Sequence, residues 1–205
     1  MYGLVNNAAI GLRGCLEDLS LDELRRLFET NFFGGISVTQ SVLPHLRSAG
    51  RGRIIFMSSI AGRLGSYGQS AYGSSKFAVE GLAETLNQEI IPFGLRAILI
   101  EPGIINTPHW HTENRGVSPR ALDPRSPYLA RFQKQEQQAE ILVERSRTRP
   151  SDVAGAIHHA LASRHPKTRY VVGRPASLLL TVRRHLPGEI FDQLYFSLVR
   201  RAISP

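Results

Sequence analysis

The sequence contains one cysteine, Cys15, among its 205 residues. An intrachain disulfide needs two cysteines and is therefore excluded, and such sparing use of cysteine is compatible with a reducing compartment. No basic segment followed by an apolar run opens the chain, so a signal peptide is not predicted. The apolar run Leu178–Val182 is far too short to span a bilayer. These absences predict a cytoplasmic protein.

Acidic residues are in short supply, and the formal net charge is +8. Proteins that bind nucleic acid cluster their basic residues on one face, whereas here they are scattered, with only short doublets such as Arg25–Arg26 and Arg183–Arg184. We therefore predict no nucleic-acid partner. A basic surface of this kind would attract an anionic cofactor or an acidic lipid.

Metal-ligand clusters are also missing from the sequence. His109 and His111 flank Trp110, but no acidic residue or cysteine stands at ligand spacing from them. The sequence therefore predicts no metal site, and Trp110 is interpreted as a wall of a substrate pocket.

Short apolar runs alternate with helical patterns along the chain. The predicted strands are Gly3–Asn6, Arg53–Met57, Leu95–Ile100 and Arg169–Val172. Continuous apolar strands are typical of a parallel sheet that is covered on both faces. The length and the 42% hydrophobic content suit one domain over residues 1–205. The predicted fold class is α/β, a Rossmann-like doubly wound parallel sheet.

Three helices carry recognisable signals. Ser20 and Glu23 form a capping box that begins a long helix running towards Leu46. A second helix is predicted from Gln69 to just before Pro92, and a third is predicted to be capped by Ser151.

The stretch from Ser59 to Lys76 carries the chemistry. Tyr72 and Lys76 are four residues apart, which places them on one face of a helix. A free tyrosine has a pKa of ~10, and a nearby cation lowers that pKa. Lys76, together with a cationic cofactor, is therefore predicted to let Tyr72 exchange a proton with an alcohol or carbonyl near neutral pH. The hydroxyl of Ser59, just after a strand, could hold the substrate oxygen.

Further segments occur in the order of one family. They are LVNNAAI (4–10), ETNFFGG (29–35), RIIFMSSIAG (53–62), the Tyr72–Lys76 pair, and EPGIINT (101–107). Together they resemble the short-chain dehydrogenase/reductases, with Ala9 where that family usually has glycine. The resemblance implies an enzyme that interconverts an alcohol and a carbonyl with NAD or NADP.

The resemblance also assigns roles to individual residues. Asn31, Ser59, Tyr72 and Lys76 would be catalytic, with Asn31 holding a water that links to the lysine. The residues implied to bind the cofactor are Asn7, Ala8, Tyr72, Lys76, Pro102, Gly103, Ile105 and Thr107. Among these, Lys76 would hold the nicotinamide ribose.

The opening strand and glycine-rich turn that cradle the pyrophosphate in this family have no counterpart here. The sequence is therefore predicted to be a partial domain that lacks roughly the first three strands. Because the second strand selects between NAD and NADP, that choice stays open. A catalytically inactive truncated chain, acting only in an interaction or structural role, is the alternative function. Epimerisation or dehydration on the same fold is a third.

The second half of the chain is predicted to serve the substrate. Residues from about 104 to 150 are expected to form a substrate lid. The tail from about 176 to 205 is amphipathic and is expected to pack over the cleft as a helix pair, or to contact a membrane surface or another subunit. The resemblance in this region implies a lipophilic alcohol of the retinoid, steroid or long-chain type. The family commonly forms homo-oligomers.

Overall fold

Four parallel strands form a sheet in the computed structural model, which describes residues 2–107 and 116–204. Within these residues the strands are β1 (Gly3–Asn6), β2 (Gly52–Met57), β3 (Leu95–Pro102) and β4 (Arg169–Val172). They lie side by side in chain order, with Leu4 paired to Ile54 and Ile54 to Ala97. Because all the strands are parallel, their carboxyl ends meet at one edge of the sheet, which is where such sheets bind ligands.

Helices cover both faces of this sheet. They are α1 (Leu21–Phe28), α2 (Gly34–Ser48), α3 (Ser70–Ile90), α4 (Leu129–Glu144), α5 (Pro150–Ala162), α6 (Arg174–His185) and α7 (Gly188–Ala202). Side chains of β2 alternate between the two faces: Ile54 packs with α2 and α3, whereas Ile55 packs with α5. The predicted α/β Rossmann-like fold class is confirmed.

The long helix predicted from Ser20 is interrupted. The capping box of Ser20 and Glu23 is present, but a π turn (Glu29–Phe33) separates α1 from α2. Such turns insert one extra residue into a helix and are frequent at functional sites. Asn31 lies in this turn.

The helix cap predicted at Ser151 is wrong. Helix α5 begins at Pro150, and Arg149 precedes it as the N-cap. Proline is favoured at the first helical position because its missing N–H would have no partner there. Ser151 therefore lies one residue inside the helix.

Part of the predicted lid and nearly all of the tail belong to the described residues. Helix α4 forms the middle of the lid segment, and α6 and α7 form the tail. His109, Trp110 and His111 lie outside the described residues. Of the helices that the structure describes, none is both long and apolar enough to cross a membrane. The single-domain boundary stays a prediction.

Candidate active site

The carboxyl edge of the sheet gathers the residues that the sequence singled out. Asn7 and Ala8 follow β1, Ser59 lies two residues beyond β2, and Gly103 follows β3. Asn7 and Ala8 are exposed to solvent, whereas Gly103 is half-buried. Three adjacent strands thus end in one polar, accessible strip.

Ser59 begins a tight turn against helix α3. Its Oγ accepts a hydrogen bond from the Ala61 backbone N–H at 3.2 Å and donates to the Pro102 carbonyl at 3.5 Å. At Gly62 an added Cβ would lie 2.9 Å from the carbonyl oxygen of Lys76. The absence of a side chain there lets the serine turn pack directly on the tyrosine helix.

Tyr72 and Lys76 lie on the face of α3 that meets this turn. The Ser59 hydroxyl lies beside the phenol of Tyr72, and Lys76 Nζ is 5.6 Å from the centre of the Tyr72 ring. Lys76 is buried, with 3% of its surface exposed, and its Nζ donates to the Met57 carbonyl at 2.8 Å. Within residues 2–107 and 116–204 this carbonyl is its only acceptor, so two N–H groups can serve a ligand.

The predicted lowering of the Tyr72 pKa by Lys76 and a cationic cofactor stays a prediction. In the chain alone, burial raises the pKa of Tyr72, and the neighbouring Ser59 hydroxyl opposes that rise only in part. The ammonium of Lys76 points to the Met57 carbonyl and lies behind the ring. Its own pKa is lowered to about 8 by burial, a shift that Glu80 opposes.

Asn31 fastens the loop that follows β1. Its Oδ1 accepts from the Ile10 N–H at 2.8 Å and its Nδ2 donates to the Ile10 carbonyl at 3.0 Å. The same Nδ2 donates to Ser75 Oγ at 3.3 Å. In this structure Asn31 therefore joins the Asn7–Ile10 loop to helix α3, and its predicted link to Lys76 through a water stays a prediction.

The segment after β3 continues along the same edge. Pro102 is buried, and Gly103, Ile105 and Thr107 are half-buried. The carbonyl of Ile104 accepts a hydrogen bond from Ser146 Oγ at 2.6 Å. This bond connects the segment to the chain just after α4. A nicotinamide riboside suits this strip, because the ammonium of Lys76 has free N–H groups for ribose hydroxyls and the neighbouring backbone is accessible.

Sequence reasoning missed a second set of polar residues beside the site. Ser75 is fully buried under Asn31, Glu80 is buried close to Lys76, and Glu101 is buried close to Glu80. Arg169 binds both acids. A signal was available for Glu80, which follows Lys76 by four residues, and for Glu101, an acid at the end of an apolar strand. Nothing local pointed to Arg169.

Comparison with known proteins identifies relatives of this chain. The family model for short chain dehydrogenase matches residues 1–118. The uncharacterized oxidoreductase YusZ of Bacillus subtilis is 37% identical over 192 residues, which covers 93% of this chain and 68% of YusZ. Retinol dehydrogenase 5 of Homo sapiens is 33% identical over 204 residues, covering 94% of this chain and 63% of that protein.

A solved structure agrees with these relatives. A short-chain dehydrogenase/reductase from Burkholderia phymatum in complex with NAD superimposes with a TM-score of 0.72 and 26% identity, covering 90% of this chain and 65% of that one. Other solved chains with this fold hold NADP. The chain spans about two thirds of the length of the relatives it matches. It belongs to the short-chain dehydrogenase/reductase family of oxidoreductases, some of whose solved members hold NAD or NADP.

Proposed function

We propose that this chain carries the catalytic centre of an enzyme that interconverts a lipophilic alcohol and the corresponding carbonyl. The observation that carries the proposal is the convergence of Ser59, Tyr72 and Lys76 at the carboxyl edge of the sheet. A hydroxyl lies beside a phenol there, and a buried ammonium lies over the phenol ring. These groups can together exchange a proton with a substrate oxygen.

Each residue has a separate task in alcohol oxidation. The nicotinamide cofactor supplies the hydride acceptor at C4 when it is bound. Ser59 holds the substrate oxygen beside Tyr72, whose phenolate accepts the hydroxyl proton. Since burial raises the pKa of Tyr72 in the chain alone, the charges of Lys76 and of an oxidised nicotinamide would have to favour the phenolate.

The lipophilic substrate class is supported by the second half of the chain and by one relative. Large apolar side chains lie exposed on α6 and α7, among them Leu178, Leu194 and Leu198. Retinol dehydrogenase 5, a relative covering 94% of this chain, is named for a lipophilic alcohol.

A series of primary alcohols from ethanol to decanol, assayed with NAD⁺ and with NADP⁺, tests this substrate class. We expect kcat/KM to rise about fourfold per added methylene, because burying one CH₂ contributes roughly 0.8 kcal/mol. A flat or falling series would contradict a lipophilic substrate.

The inactive alternative is favoured by the exposed edge of the sheet. Strand β1 has no partner on its outer side within the described residues, and Val5 on this strand is 36% exposed. Such an edge can pair with another chain. Fluorescence titration with NADH and NADPH separates the two functions. Micromolar binding of either cofactor supports the enzyme, and no binding up to millimolar concentration supports the interaction role.

The tail is also proposed to contact an anionic membrane surface. Ile190, Leu194 and Leu198 form one exposed stripe at spacings of four residues on α7, and Arg201 follows at the end of that stripe. We expect co-sedimentation with vesicles that contain phosphatidylserine and much less with pure phosphatidylcholine. Leu194→Asp should abolish it, whereas Leu122→Asp, at another exposed leucine, should not. If the protein binds neither kind of vesicle and instead self-associates through the stripe, the tail would be a subunit contact.

The cytoplasmic location and the homo-oligomer stay predictions.

A further inference from the structure

A charged cluster lies beside the catalytic face of helix α3. It consists of Glu80, Glu84, Glu101, Arg63 and Arg169. One nitrogen of the Arg169 guanidinium contacts both Glu80 and Glu101, and the other contacts Glu84. Arg63 Nη1 is 3.2 Å from Glu101 Oε1. Glu101 is fully buried and Glu80 is 5% exposed, so their charges require partners of this kind.

The cluster joins the parts of the molecule that make up the site. Glu80 stands one helical turn after Lys76 on the same face of α3. Glu101 is near the end of β3, directly before Pro102 and Gly103. Arg63 follows the serine turn, and Arg169 begins β4. A single guanidinium therefore links the tyrosine helix to the strand that leads into the predicted cofactor segment.

The electrostatic effect of Glu80 on Lys76 has a definite sign. Burial lowers the pKa of Lys76 to about 8, and Glu80 is the group that opposes this change. Burial and Glu101 raise the pKa of Glu80, whereas Ser58 and Arg169 lower it. The Ser58 hydroxyl lies beside the carboxylate without the geometry of a regular hydrogen bond. Arg169 is thus the cation that favours an ionised Glu80.

We propose that Glu80, held by Arg169, is a positioning residue that keeps Lys76 in its ammonium form at neutral pH. The proposal rests on the proposed function, since Lys76 can favour the Tyr72 phenolate only while it is charged. Three observations carry it: the spacing of one helical turn, the burial of both side chains, and the guanidinium that Glu80 shares with Glu101. The titratable groups that act on Lys76 directly are Tyr72 and Glu80, both on α3. Glu101 on β3 and Arg169 on β4 act on Glu80, and Arg63 pairs with Glu101.

The pKa of Lys76 can be measured directly, without cofactor or activity. The chain contains three lysines, Lys76, Lys134 and Lys167, so protein labelled with [ε-¹³C]lysine gives three signals, and Lys76→Arg assigns one of them. In Glu80→Gln we expect the pKa of Lys76 to fall by about one unit, the low end of the effect of a close opposite charge. An unchanged pKa would overturn the proposal.

Two neighbouring acids supply matched controls. Glu101→Gln removes an equally buried carboxylate from the same guanidinium, and Glu84→Gln removes an exposed one. Neither should lower the pKa of Lys76, and a fall in Glu101→Gln as large as that in Glu80→Gln would overturn the proposal. Arg169 keeps two partners in Glu80→Gln, so we expect this variant to fold. If it does not, the neutral variant Glu80→Met takes its place, and an unchanged pKa of Lys76 there would overturn the proposal.

Activity adds a second measurement that a merely structural role would not change. In Glu80→Gln the alkaline limb of the kcat/KM profile should move to lower pH together with the pKa of Lys76. A uniform loss at every pH, with the limb unmoved, would show a structural role and overturn the proposal. Absence of activity in the wild type would contradict the proposed function. The NMR measurement of the Lys76 pKa would still test the role of Glu80, because it does not depend on activity.

Discussion

Lys76 is the residue at which stability and chemistry oppose each other most clearly. Only 3% of the residue is exposed, and burial lowers its pKa from 10.5 to about 8. Between these two values the unfolded chain binds more protons than the folded one. The penalty for burying the charge is therefore complete below pH 8 and disappears as the pH rises towards 10.5.

Lys76→Met should consequently stabilise the protein, by up to about 3 kcal/mol at pH 7, as the difference of roughly 2.5 units implies. The gain should shrink by pH 9.5, because the wild type then loses its penalty. Urea unfolding at both pH values measures this. Lys167→Met, at an exposed lysine, is the control and should change stability little at either pH. A gain from Lys76→Met that grows with pH would contradict the burial of an ammonium.

Asn31 offers a second prediction at the level of one residue. Asn31→Ala removes two hydrogen bonds to Ile10 and one to Ser75, so we expect a loss of about 2 kcal/mol in the free energy of unfolding. It should also weaken the binding of NADH or NADPH, because the Asn7–Ile10 loop is released. Asn87→Ala, which frees the Ala97 N–H, should lower stability but leave cofactor affinity unchanged. Equal affinities in both variants would contradict the positioning of this loop by Asn31.

The sequence predicted where Ser59, Tyr72 and Lys76 lie relative to one another because helix spacing and the ends of parallel strands are local rules. It did not predict the raised pKa of Tyr72, which depends on burial by distant parts of the chain. The partnership of Glu80 with Arg169 spans 89 residues. No spacing rule reaches that far.

At the scale of elements, helix α4 is fastened to the segment that follows β1. Arg13, 7% exposed at its side chain, forms an ion pair of 2.6 Å with Glu136. The Arg13 N–H donates to the Gly116 carbonyl at 2.6 Å, and the Ser118 N–H donates to the Arg13 carbonyl at 2.9 Å. Arg13 therefore holds two parts of the predicted lid. Its side chain pairs with α4, and its backbone bonds to residues 116 and 118.

Glu136→Gln should loosen α4, with a loss of about 2 kcal/mol in the free energy of unfolding, because it removes the charge that pairs with the buried Arg13 guanidinium. Hydrogen exchange followed by mass spectrometry should show faster exchange in α4 than in α3. Glu144→Gln, at the exposed end of the same helix, is the control. If both variants exchange alike, the ion pair with Arg13 does not hold this helix in place.

Elements differ in how well the sequence predicted them. Strands β1 and β4 have the predicted bounds because each is a short apolar run between polar or glycine residues. The π turn was not predicted, since it accompanies contacts between Asn31 and a backbone 21 residues earlier in the chain. The misplaced cap at Ser151 came from giving serine precedence over the proline before it.

At the scale of the whole molecule, the exposed edge of β1 sets how the 205-residue chain behaves by itself. Val5→Lys places a charge on this edge and should reduce self-association, because charged edges resist strand pairing. Light scattering after gel filtration measures it. Val38→Lys makes the same change at an exposed valine on α2 and should have no such effect. High-mass species that persist unchanged in Val5→Lys would show that association uses another surface.

We propose that Tyr72 exchanges the proton during hydride transfer, and one comparison of rates tests this role of Tyr72 most directly. Formation of NADH or NADPH from a long-chain alcohol would be followed in wild type, Tyr72→Phe and Tyr67→Phe. Tyr67 is a second tyrosine with a buried hydroxyl, five residues earlier. We expect a loss of at least about 100-fold in Tyr72→Phe, as for a general acid–base group, with near wild-type rates in Tyr67→Phe. Turnover at the wild-type rate in Tyr72→Phe would contradict it.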